Sequence, residues 1–126
     1  MVTFPKVKPV STDYLIKIVC DADRRTMDLI ADLSDDQLIG PKLRIVNPIR
    51  WEIGHIAWFQ ENFIIRLVDG KEPIREDGDR LYDSTNVAHD TRWDLPLPDL
   101  LETRGYMEAV RDAVIRRLDD KSPKIC

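Results

Sequence analysis

The stretch that decides the fold is NPIRWEIGHIAWFQENF, residues 47–63. Asn47 is a favoured helix cap, and Pro48 suits the first helical position, where its missing N–H would have no partner anyway. Apolar side chains then recur to Val68, and Asp69-Gly70 supplies a stop. At 1.5 Å per residue this predicts a helix about 30 Å long. Ile49, Ile53, Ile56, Ile64 and Leu67 make an aliphatic face. Glu52, His55, Phe59, Asn62 and Arg66 fall roughly on one line beside it. With Trp51, Trp58, Phe63 and Ile65 added, the helix is apolar over most of its circumference, which requires cover on nearly all sides.

His55 is one of only two histidines. It stands at the border of the apolar surface, in a row with polar groups. Spacing alone leaves two readings open. The more ordinary is a histidine at the edge of the core, satisfied by one hydrogen bond; the other is a metal ligand. A single histidine never specifies a metal site.

Upstream, residues 1–10 carry two prolines and read as an extended lead-in. A helix over about 12–33 follows, with Leu15, Ile18, Val19, Ala22, Leu29, Ile30 and Leu33 on one face. Ser34 and Gln37 match a capping box, and Gly40-Pro41 ends that short turn. Downstream, residues 71–98 contain Pro73, Gly78, Pro96 and Pro98 and form a long connection, with a short helix expected near 79–87. A third long helix spans about 99–118, capped by Asp99, with Leu100, Tyr106, Met107, Val110, Val114 and Leu118 as its stripe. No segment alternates as a strand would. The expected class is all-α: an up-down bundle of three long antiparallel helices.

The totals narrow the function. A chain of 126 residues fits one domain, 1–126, and 43% hydrophobic with 33% charged residues is a globular profile. A net charge of −4 and a pI near 5.2 argue against a nucleic-acid partner. The richest apolar segment, 48–68, is interrupted by Arg50, Glu52, Glu61 and Arg66, so no membrane span is expected. No signal peptide is expected at the N-terminus, and Cys20 and Cys126 are expected to give no disulfide framework. A cytoplasmic, reducing location is the expectation.

The stretch 47–63 resembles the second helix of the DinB-like domain found at the N-terminus of ergothioneine-type sulfoxide synthases. The shared pattern, Trp-x-x-x-His-x-x-Trp-Phe-x-Glu, is carried here by Trp51, His55, Trp58, Phe59 and Glu61. LYDSTNVAHDTRWDLPLP, residues 81–98, is similar to the connection after that helix, especially in the branch containing selenoneine synthases. DADRRTMDLIADLSDDQLIGPKL, residues 21–43, fits the same branch. The resemblance covers about 12–118.

That resemblance implies a four-helix bundle holding non-haem Fe²⁺ through three histidines, and oxidative C–S or C–Se bond formation on a trimethylated histidine. The helix-two histidine maps to His55, as a ligand and not a base. The other two come from a His-x-x-x-His pair on the last helix, and no such pair occurs here. Iron sites of this kind need about three protein ligands with open positions. The chain therefore reads as a fragment or truncated relative with the fourth helix missing, inactive alone and binding no iron tightly. Tyr82, His89 and Arg92 are weaker substrate-contact candidates. His89 reads first as a loop histidine held by Asp90 or by backbone. Arg92-Trp93-Asp94 could pack against the family's second domain. Trp51, Trp58 and Trp93 read as core or domain-contact residues, and Asp21, Asp23, Asp35 and Asp36 as solvated surface. The expected partner is the remainder of the enzyme or a second copy covering helix two. The alternative is a non-catalytic helical interaction module that forms a homodimer or pairs with another chain.

Overall fold

A computed structural model describes residues 8–120 and Cys126. Every regular element among the described residues is helical. Helix α1 is Thr12–Ile30, opened by Ser11, whose hydroxyl accepts the Tyr14 N–H at 3.2 Å. It stops short of Leu33, which closes a turn onto the Ile30 carbonyl. Helix α2, Asp35–Ile39, begins with the full Ser34–Gln37 capping box and ends at Gly40, whose φ of 67° admits no side chain cheaply. Of the expected lead-in, residues 1–7 lie outside the described residues, and 8–10 have no regular structure.

Helix α3, Ile49–Gln60, continues without a break into a π-helical stretch, Glu61–Val68, closed by Gly70. Pro48 takes the cap position rather than the first helical one. Asn47 does not cap: its side-chain amide bonds Glu52 at 2.5 Å, and its oxygen accepts from Arg92 at 2.9 Å. The connection holds a short helix α4, Gly78–Tyr82, and a single 3₁₀ turn, His89–Thr91. Helix α4 ends before the expected 87 because Asp83 turns the chain, accepting from Thr85 and Asn86. Helix α5, Leu100–Leu118, starts at Asp99, which accepts the Glu102 N–H at 2.8 Å.

The core lies where α3 meets α5 and α4. Trp51, Ile53, Ala57 and Trp58 pack with Leu81, Tyr82, Tyr106, Met107, Val110 and Val114. Two long-range bonds set the helix directions. Tyr106 of α5 meets Glu61, and Arg117, eleven residues on, meets Asp69, eight residues on. Helices α3 and α5 therefore run in the same sense. This corrects the expectation that all three long helices alternate: the connection from 71 to 99 returns the chain along the bundle before α5 begins. Helix α1 does oppose α5, since Asp23 pairs with Arg111 while Met27 and Ile30 lie beside Leu100 and Arg104.

The connection covers one side of α3 only. Ile56, Phe59, Phe63 and Leu67 stay exposed, Phe59 at 51% and Leu67 at 67%. A cavity of about 270 Å³ opens between α1, α3 and α5, with Ile56, Ile64, Met107 and Val114 among its walls. Among the described residues no helix is long and apolar enough to cross a membrane. The expectation of two unpaired thiols is corrected too. Cys20 and Cys126 form a disulfide with their Cα atoms 5.1 Å apart, inside the range such a bridge needs. The pair spans 106 positions, so no local pattern announces it.

Candidate functional site

His55 lies half-buried on α3, one turn after Trp51 and one turn before Phe59. Its ring stacks on Trp51 with centroids 4.7 Å apart and planes 9° apart, faces Trp58 at 5.9 Å, and meets the edge of Phe59. Nδ1 lies 2.8 Å from the Tyr82 carbonyl oxygen. A carbonyl only accepts, so Nδ1 carries the proton and donates. Nε2 of the neutral ring is then left with a lone pair. Metal-binding histidines are commonly oriented in this way, one nitrogen tied to a carbonyl and the other offered to the metal.

The other candidates are placed as follows. Tyr82 is completely buried, its ring parallel to that of Tyr106 at 6.1 Å. Its hydroxyl has no hydrogen-bond partner among the described residues, and burial pushes its pKa up to about 12. His89 Nε2 donates to the Val46 carbonyl at 2.6 Å, Asp90 stands 3.4 Å from Nδ1, and the ring meets the edge of Trp93. Arg92 is turned inward and only 8% exposed. Its guanidinium bonds the Val87 and Ser84 carbonyls and Asn47, and lies 4.0 Å over the ring of Trp51. Burial pulls its pKa below the usual arginine value. The structure thus brings His55, Tyr82 and Arg92 together around Trp51, and leaves His89 at the outer loop.

Among the described residues no three His, Cys, Asp or Glu side chains converge as a metal-binding group. The donors present fit one position of an iron site, the one His55 can fill.

Comparison with known proteins matches the DinB superfamily over residues 21–124. The chain belongs to the DinB superfamily. It is also similar to three curated relatives named hercynine oxygenase. That of Mycolicibacterium thermoresistibile is 29% identical over 107 residues, covering 83% of this chain and 24% of the relative. That of Mycolicibacterium smegmatis is 28% identical over 78% of this chain and 23% of the relative. That of Mycobacterium tuberculosis is 27% identical over 86% of this chain and 26% of the relative. The chain spans about a quarter of the length of the curated relatives it matches.

Within this DinB fold, three residues that build the site were not singled out as site residues from the sequence. Glu61 reads there as a charge interrupting an apolar run; in the structure it is wholly buried and accepts from the Tyr106 hydroxyl and the Ile74 N–H. Its place in the Trp-to-Glu pattern was the available signal. Gly54 has no signal of its own: a Cβ there would fall 2.3 Å from the Tyr82 ring. Asp79 ties α4 to α3 through Arg66 at 2.6 Å and Trp58 Nε1 at 2.7 Å, and the Arg66 bond above all holds its carboxyl below the usual range.

Proposed function

We propose that this chain is the DinB-like part of a non-haem iron enzyme acting on hercynine, a trimethylated histidine, and that His55 is one of its iron ligands. The observation that carries the reading is the His55–Tyr82 bond, which fixes the ring tautomer and leaves Nε2 free. The similarity to proteins named hercynine oxygenase supports the choice of substrate class. Bound iron would supply activation of O₂ for C–S or C–Se bond formation. The residues here hold and orient one imidazole and shield its faces with Trp51 and Trp58. The remaining donors come from outside the described residues, so residues 1–126 alone bind iron weakly and turn nothing over. The test is the iron content of the protein expressed from the whole reading frame that encodes residues 1–126. Stoichiometric iron, lost in a folded His55→Ala variant, supports the reading; iron unaffected by that change overturns it.

One observation favours a second reading, a helical interaction module. Ile56, Phe59, Phe63 and Leu67 form an exposed apolar row on one helix. Under the first reading the rest of the enzyme covers it, under the second another copy of this chain or a different chain. Sedimentation of residues 1–126 at low micromolar concentration tests the self-associating form: a homodimer abolished by Phe59→Gln and Phe63→Gln supports it, and a monomer removes that form.

A further inference from the structure

Arg92 is a buried cation with no carboxylate bonded to it among the described residues. Among the described residues it forms no ion pair, although Glu52 lies close enough to act through space. Desolvating a guanidinium is costly unless its donors are met, and an apolar residue would serve plain packing at lower cost. What Arg92 has instead is a set of directional contacts. Its fork bonds the Val87 carbonyl at 2.8 and 3.2 Å, the Ser84 carbonyl at 3.3 Å and the Asn47 oxygen at 2.9 Å. Its Cζ lies over the ring of Trp51, and Trp51 is the ring that stacks on His55.

The second route to His55 runs along the chain. Residues 83–87 form one turn, closed by the Val87 N–H on the Asp83 carbonyl at 2.8 Å and by the Asp83 side chain on Thr85 and Asn86. The residue before the turn is Tyr82, whose carbonyl orients His55. The residue at its far end is Val87, whose carbonyl Arg92 grips twice. A third route runs through Asn47 to Glu52, on the same face of α3 as His55.

From this geometry we propose that Arg92 is a positioning residue for His55. It holds the 83–87 turn and Trp51 in the arrangement that keeps the imidazole in its Nδ1–H form with Nε2 directed outward. The proposal rests on the reading of His55 as a ligand only for its purpose; the positioning itself is a property of the metal-free chain. A lysine in its place would keep the charge but could not set a planar group over Trp51 while gripping two carbonyls.

The experiment is long-range ¹H–¹⁵N correlation of the histidine rings in metal-free residues 1–126. With two histidines the spectrum is simple. The parent chain should show His55 as a single tautomer, protonated at Nδ1. Arg92→Lys and Arg92→Gln are compared with it, and Asp90→Ala, which touches only the His89 side of the loop, is the control. The expected result is loss of the single-tautomer pattern at His55 in whichever Arg92 variant keeps the helical melt of the parent, with no change in Asp90→Ala. An unchanged His55 pattern in a folded Arg92 variant overturns the proposal. So does unfolding of both variants, which would make Arg92 a general structural residue. The iron content of His55→Ala tests the ligand reading separately, so either can fail without the other.

Discussion

Glu61 accepts the hydroxyl proton of Tyr106 at 2.7 Å, and the pair joins α3 to α5 in the interior with the carboxyl wholly out of solvent. The other carboxyl oxygen takes the Ile74 N–H, so one side chain fixes both the helix pair and the start of the connection. Burial, together with the bond to Glu61, pushes the Tyr106 phenol well above its usual pKa. Glu61→Ala orphans the buried Tyr106 hydroxyl, at about 1–3 kcal/mol, frees the N–H of half-exposed Ile74, and opens a cavity besides. Tyr106→Phe orphans one acceptor and should cost about 1–3 kcal/mol. Urea melts check the ranking: Glu61→Ala must lose the more, and equal midpoints for parent and Glu61→Ala would show that the pair contributes nothing.

Gly54 faces Tyr82 so closely that any side chain must move the ring. Gly54→Ala gains about 1 kcal/mol of helix propensity but overpacks a full core, at about 1–3 kcal/mol or more. The net effect should be destabilising, with the Tyr82 carbonyl drawn away from His55. A lowered melting temperature together with a shifted His55 ring signal is the expected outcome. A stabilised Gly54→Ala chain would contradict the packing.

The Asp79 carboxyl is held below its usual pKa by Arg66 first and Trp58 second. A carboxylate whose folded pKa is depressed contributes stability above its unfolded value, near 3.9, and that contribution is lost as pH falls through the lower folded value. The stability difference between the parent and Asp79→Asn should therefore be constant at neutral pH and shrink below about pH 4. Trp58 fluorescence, which senses the bond to Asp79, should change over the same window. A difference that grows on acidification would reverse the assignment.

The Cys20–Cys126 bridge closes a loop of 106 positions. Chain entropy assigns about 4–5 kcal/mol to a loop of that size, and bridges commonly deliver about 2–4. Without reductant, the denatured chain should show no reactive thiol and gain two hydrogens in mass on reduction. Cys20→Ser should then melt lower than the oxidised parent and at the same temperature as the reduced one. Two free thiols in the purified chain would dismiss the bridge.

The local signals in the sequence located the long helices and some of their ends, while α1 and α4 stop earlier than the spacing predicts and Pro48 replaces Asn47 as a cap. Apolar spacing located α1, α3 and α5, Ser34 with Gln37 and Asp99 opened their helices as their side chains require, and Gly40 and Gly70 ended helices with the positive φ that glycine allows. These signals act within a few residues, so a pattern along the chain is enough to read them. His55 was also legible, through its polar row and the Trp-to-Glu pattern around it. Tertiary structure alone decided what His55 is bonded to, which way Arg92 turns, that Glu61 is interior and that α3 and α5 run the same way. Each of these depends on where the 71–99 connection travels. The deciding contacts join residues 27, 45 and 106 positions apart, and only packing of the whole chain brings such positions together.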